Sequence, residues 1–134
     1  MASTRKEVIA IASKFIGAKQ GDSKHRQIVD TFNKIKPRGE IGNYSCAWCA
    51  MFVTAVQSMA GNGSAVVPQS YNCGTLISEA MRLGIWQEND NYTPKQADMI
   101  IYYWDAPAGN CNYGASHVGI VSAVDNGDIT VIEG

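Results

Sequence analysis

The stretch His117-Val118-Gly119-Ile120-Val121-Ser122-Ala123-Val124, then Asp125-Asn126-Gly127-Asp128, then Ile129-Thr130-Val131-Ile132, decides the fold. Two β-rich runs flank an Asn-Gly pair, and Asn-Gly accepts the left-handed backbone that a tight hairpin turn demands. The spacing therefore predicts two antiparallel strands, His117 to Val124 and Ile129 to Ile132. Further back, Met99-Ile100-Ile101-Tyr102-Tyr103-Trp104 reads as another strand by its β-branched and aromatic content. Between these strands, Ala106 to Ala115 is rich in glycine, asparagine and proline and reads as a loop.

Everything before Met99 has a different period. Thr4-Arg5-Lys6-Glu7 fits a capping box, in which a hydroxyl and a carboxylate three residues on each bond the other's backbone N–H. Val8, Ile11, Ala12, Phe15 and Ile16 follow at helical spacing, and Gly17 stops the run. A second amphipathic helix is expected from His25 to Ile35, with Ile28, Val29, Phe32 and Ile35 on one face and Pro37 ending it. A third is expected from a Ser45 N-cap to about Ala60, where Gly61-Asn62-Gly63-Ser64 breaks it. Thr75 to Leu83 reads as a fourth, closed by Gly84, and Pro94 to Asp98 as a turn. Helices first and an antiparallel sheet afterwards predict an α+β fold. With no repeat and no linker, the reading is one domain over residues 1–134.

The composition excludes several classes. A chain of 134 residues buries roughly two thirds of its unfolded surface, enough for a core. A net charge of −1 gives no electrostatic reason to expect a nucleic-acid partner. No apolar run approaches the ~20 residues of a membrane span. Val8 to Ala12 is apolar after Arg5-Lys6, but it is short and bounded by Glu7 and Lys14, so a signal peptide is not expected. Without an export signal, the four cysteines Cys46, Cys49, Cys73 and Cys111 read as free thiols.

The chemistry turns on Cys46-Ala47-Trp48-Cys49. A zinc site needs about four ligands, and here no second Cys-x-x-Cys follows while His25 and His117 stand alone. No metal and no cofactor are expected. A dithiol redox pair normally sits in a βαβ setting, whereas this one follows two helices. Cys73 and Cys111 read as small buried hydrophobes. Cys49 is different, because it falls in the first turn of its helix, where free N–H groups and the positive dipole end favour a thiolate. Those N–H groups also suit the oxyanion of an acyl transfer. His25, between Lys24 and Arg26, reads as solvated. His117 opens a strand after a glycine-rich loop, where it either caps the strand or serves as a base. Beside a helix-start cysteine, a Cys/His pair is the better reading. Glu133, one strand over, is placed to orient the imidazole.

The order Cys, His, Glu resembles that of the CHAP domains, the cysteine- and histidine-dependent amidohydrolases/peptidases. The matching stretches are "WCAMFVTAV" (Trp48 to Val56), "GIWQEND" (Gly84 to Asp90), "PKQADMIIYYW" (Pro94 to Trp104) and "SHVGIVSAVDNGDITVIEG" (Ser116 to Gly134). "GDSKHRQIVDTFN" (Gly21 to Asn33) matches more loosely. The resemblance implies a papain-like peptidoglycan hydrolase, as in phage endolysins, with Cys49 as nucleophile, His117 as base and Glu133 as the acidic third member. It implies cleavage of the muramoyl-L-alanine amide or of a bond in the stem peptide or cross-bridge. Trp48, Tyr103, Trp104 and Tyr113 are expected to line the groove, with core packing as the alternative for each aromatic.

Three departures stand out. Ala97-Asp98 replaces the family's usual Gly-Asp before the first strand, a change expected to alter the turn but not the chemistry. An Asn that many members carry after Glu-Gly is absent, because the sequence stops at Gly134. Asp22 is isolated, so the calcium cluster of some members is not expected. The implied partner is bacterial cell-wall peptidoglycan, met by a monomer that is phage-encoded or made in the cytoplasm. A longer parent protein is expected, continuing with that Asn, more strand and a wall-binding module. The rival readings are a wall-binding module of the same fold without catalysis, and a Cys-x-x-Cys redox protein.

Overall fold

A computed structural model describes residues 4–89, 91–102 and 117–134. Tyr103, Trp104, Cys111 and Tyr113 lie outside them. Thr4 opens helix α1 (Arg5–Ser13) with the expected capping box. Its hydroxyl accepts the Glu7 N–H at 3.2 Å, and the Glu7 carboxylate accepts the Thr4 N–H at 3.3 Å.

Asp22 caps helix α2 (Ser23–Ile35), accepting the His25 N–H at 2.8 Å. The helix thus starts two residues earlier than its apolar spacing suggests, and this overturns the reading of His25 as solvated. Once the helix includes Ser23, His25 stands at i with Ile28, Val29 and Phe32 at i+3, i+4 and i+7, all on the inner face. Its side chain is 0% exposed. Lys36 closes α2 in the left-handed region at φ 49°, and Pro37 starts a single 3₁₀ turn (Pro37–Gly39).

Helix α3 (Cys49–Met59) begins four residues after the expected Ser45 cap. Asn43 explains the delay. Its side-chain oxygen accepts both the backbone N–H and the hydroxyl of Ser45, at 2.9 and 3.0 Å, which holds Ser45 in a turn of its own ahead of the helix. The Cys46 thiol donates to the Asn43 carbonyl at 3.3 Å and completes the turn. Every residue from Ala50 to Gln57 is buried, making α3 the centre of the core. Helix α4 (Cys73–Leu83) starts at an Asn72 cap and ends at Gly84, whose φ of 74° is the left-handed stop expected of it.

Strands β1 (Met99–Tyr102), β2 (His117–Asp125) and β3 (Asp128–Glu133) form an antiparallel sheet in the order β1-β2-β3. Asn126 and Gly127 turn the hairpin with φ of 50° and 87°, both left-handed as Asn-Gly predicts. Side chains alternate across a strand. Met99, Ile101, Val118, Ile120 and Ile132 join the core beneath α1, α2 and α3. Helices packed on a following antiparallel sheet make the α+β fold that the sequence predicts.

The turn before β1 puts an alanine in the left-handed region. Ala97 sits at φ 70°, a conformation that costs an L-residue about 1–2 kcal/mol. Its N–H donates to the Val121 carbonyl at 2.8 Å, and the Val121 N–H donates to the Asp98 carbonyl at 2.8 Å. The Asp98 carboxylate accepts from Arg5 at 2.7 Å, Tyr92 at 2.6 Å and the Lys95 N–H at 2.9 Å. Burial works against that charge, but the three donors outweigh it and hold the carboxyl below its ordinary pKa. Their stabilisation is present at neutral pH and is lost as pH falls through the lowered value. Ala97→Gly should relieve the backbone strain and raise stability by about 0.5–1 kcal/mol, after the extra chain entropy of glycine is subtracted. Urea melts of the two proteins measure it, and a destabilised Gly variant contradicts it.

Candidate active site

Helices α3 and α4 each begin at a cysteine, and a buried hydrogen-bonded pair brings those ends together. Thr54, on α3, donates to the Ser70 carbonyl at 3.0 Å and accepts the Ser70 N–H at 3.1 Å. The Ser70 hydroxyl donates to Glu40 at 2.9 Å and accepts the Asn72 N–H at 3.0 Å. The segment leading into α4 is therefore fixed against α3. As a result the Cys49 and Cys73 sulphurs lie 3.9 Å apart.

The sheet supplies the other side. His117 begins β2, and Glu133 stands opposite Gly119, two residues along on the same face. The Glu133 carboxylate reaches diagonally to His117, with Nε2 to Oε2 at 2.9 Å. Gly119 leaves room for it. A Cβ there would come within 2.4 Å of Val131 and 3.1 Å of the Glu133 side chain. On the other flank Tyr102 pairs with His117 across β1 and β2 and stacks on the imidazole, with ring centroids 5.7 Å apart and planes 26° apart. Burial, with a smaller contribution from the Glu133 charge, raises the Tyr102 pKa.

A carboxylate only accepts, so His117 Nε2 carries a proton toward Glu133. Nδ1 is then the nitrogen left for Cys49, whose thiol His117 helps to hold ionised. The Cys49 thiol is held far below its ordinary value, at about 5. The hydrogen bond from Cys73 contributes most. Desolvation opposes it, and the Val118 N–H, the charge of His117 and the His117 hydrogen bond add to the lowering. Cys73 moves the other way, pushed well above the usual thiol range by its bond to Cys49, by burial and by the Cys49 charge. No side chain caps the start of α3, so its first-turn N–H groups carry no such partner.

The structure thus brings together Cys49, His117 and Glu133, each named from the sequence. Trp48 is half-buried beside them, edge-on to His25 at 4.8 Å and to Phe52 at 6.4 Å. The His25 Nδ1 accepts the Gly21 N–H at 2.9 Å, which keeps that ring in place against Trp48. Cys46 faces Asn43 and not Cys49, so the Cys-x-x-Cys spacing does not make a sulphur pair; the pair is Cys49 with Cys73. Cys73, Tyr102 and Gly119 are site neighbours that the sequence reading did not single out. The helix-start position of Cys73, behind an Asn cap, is a local signal for the first. A cavity of about 780 Å³, lined by Val66, Leu76, Ile85, Trp86, Met99 and others, includes none of Cys49, His117 and Glu133. Among the described residues no helix is long and apolar enough to cross a membrane.

A cysteine at a helix start, a histidine at a strand start and a carboxylate bonded to that histidine make up the candidate site. Residues 40–134 match the CHAP domain, and the chain belongs to that family. It is a family of peptidoglycan hydrolases, typically cysteine- and histidine-dependent amidohydrolases or peptidases. No curated protein and no solved structure matches the chain.

Proposed function

We propose that this chain cleaves an amide bond of bacterial peptidoglycan, with Cys49 as nucleophile, His117 as general base and acid, and Glu133 orienting the imidazole. The observation that carries this reading is the His117–Glu133 pair at 2.9 Å, with the imidazole acting on the Cys49 thiol to lower its pKa. A helix-start cysteine facing a strand-borne histidine is also what a papain-like reading calls for. His117 Nδ1 accepts the Cys49 proton, and the thiolate attacks the amide carbonyl. The uncapped N–H groups at the start of α3 receive the oxyanion. His117, now an imidazolium held by Glu133 and flanked by Tyr102, protonates the leaving amine at Nδ1. Water, activated by the same nitrogen, then cleaves the thioester. Trp48, next to Cys49, is assigned to the wall of the substrate cleft.

The test is mass spectrometry of muropeptides from purified walls. Cleavage between muramic acid and L-alanine releases a free lactyl carboxyl and a new alanine amine. Cleavage in the stem or cross-bridge leaves new peptide termini. Either product supports hydrolysis of a wall amide and names the bond, whereas intact walls after long digestion overturn the reading.

A further inference from the structure

We propose that Cys73 is a positioning residue of this site, whose S–H donates to the Cys49 sulphur and holds the nucleophile as a thiolate in its half-buried place. This rests on Cys49 being the nucleophile. The geometry is a sulphur–sulphur contact of 3.9 Å between two helix starts. The contact is anchored on both sides. Thr54 bonds Ser70 twice, and Ser70 in turn bonds Asn72, the cap of α4. Cys73 is 8% exposed, so its proton has little water to turn to.

The proton count gives the mechanism. One proton lies between the two sulphurs. Removing it too would leave two negative charges 3.9 Å apart in a partly dry site, so Cys73 keeps it while Cys49 ionises. A positive helix end alone lowers a thiol pKa, and α4 offers one to Cys73; the opposite displacement of that thiol fits a donor role. Cys49 then has two independent supports, a neutral donor in Cys73 and a charged one in His117. The larger of the two, that of Cys73, remains when the His117 charge is removed.

The experiment is the pH dependence of iodoacetamide labelling, resolved by peptide for each cysteine. In the parent protein the Cys49 inflection should lie well below that of Cys46. Cys73→Ala should raise the Cys49 inflection by about one pH unit or more, a tenfold loss of thiolate in acid. Cys73→Ser restores a donor and should bring most of that back, which a purely space-filling role would not do. An unmoved Cys49 inflection in a Cys73→Ala protein that melts normally overturns the proposal. Should the Ala variant not fold, the unmodified protein decides. Cys73 must label with an inflection far above that of Cys46, and an equal one overturns the proposal. Labelling needs no substrate, so it separates this claim from the proposed hydrolysis: a coupled thiol pair that digests no wall refutes only the latter.

Discussion

Cys49→Ala should lower wall hydrolysis to less than about a thousandth of the parent rate, because the other thiol of the site, Cys73, is buried and keeps its proton. The fold should survive. Cys49 is the first residue of α3 and only half-buried, and alanine is a good helix former. Cys46→Ser is the matched control. Its thiol only donates to the Asn43 carbonyl, a bond that a hydroxyl reproduces. Turbidity loss of purified walls compares the three proteins. A dead Cys46→Ser beside an active Cys49→Ala would reverse the assignment.

His117→Ala should lower the rate by about 10²–10⁴, the usual range for a positioned acid–base group. It should also raise the Cys49 pKa, and the sign makes the effect largest in acid. In the parent, Cys49 is a thiolate above about pH 5. Without the His117 charge and hydrogen bond the inflection moves toward the ordinary thiol value. At pH 6 a larger fraction of the parent than of the variant is then thiolate, while at pH 9 the difference closes. Cys73 remains in place, so the variant's inflection should stop short of that of Cys46. Glu133→Gln should cost less, since it keeps an acceptor for Nε2 and loses only the charge; Glu133 is 43% exposed, where water weakens that charge. Identical labelling profiles for parent and His117→Ala would refute the pairing.

What the sequence made legible was local. The Thr4–Glu7 capping box, the Gly84 stop and the Asn126-Gly127 hairpin are each written within four residues, and each took its expected form. Cys49, His117 and Glu133 could be picked out as candidates because each lies at an end of a marked element. The failures were non-local or turned on a competing side chain. Asn43 held Ser45 in a turn ahead of α3, and Asp22 started α2 early enough to turn His25 inward. Cys73 is buried in the core as the sequence suggests, but its sulphur contact with Cys49 was not legible, because that partner is 24 residues away and is reached through the Thr54–Ser70 contact. Tyr102 required the strand register, which places it opposite His117. Ala97 takes a left-handed conformation that its residue type does not announce, held there by the exchange of backbone hydrogen bonds with Val121.

The two halves of the site belong to regions of unequal depth. Cys49 starts a helix buried from Ala50 to Gln57, whereas β3 is exposed at Asp128, Ile129, Thr130 and Glu133. Local opening free energies follow burial, so the amides of α3 exchange with solvent only when the whole core opens, and those of β3 exchange by fraying of the sheet edge. A frayed edge releases His117 from Glu133 but leaves Cys49 beside Cys73. Under the proposed mechanism such a molecule still consumes a thiol reagent but has lost the orientation of its base. Counting reactive Cys49 in a preparation therefore counts folded cores, and sets only an upper bound on competent enzyme.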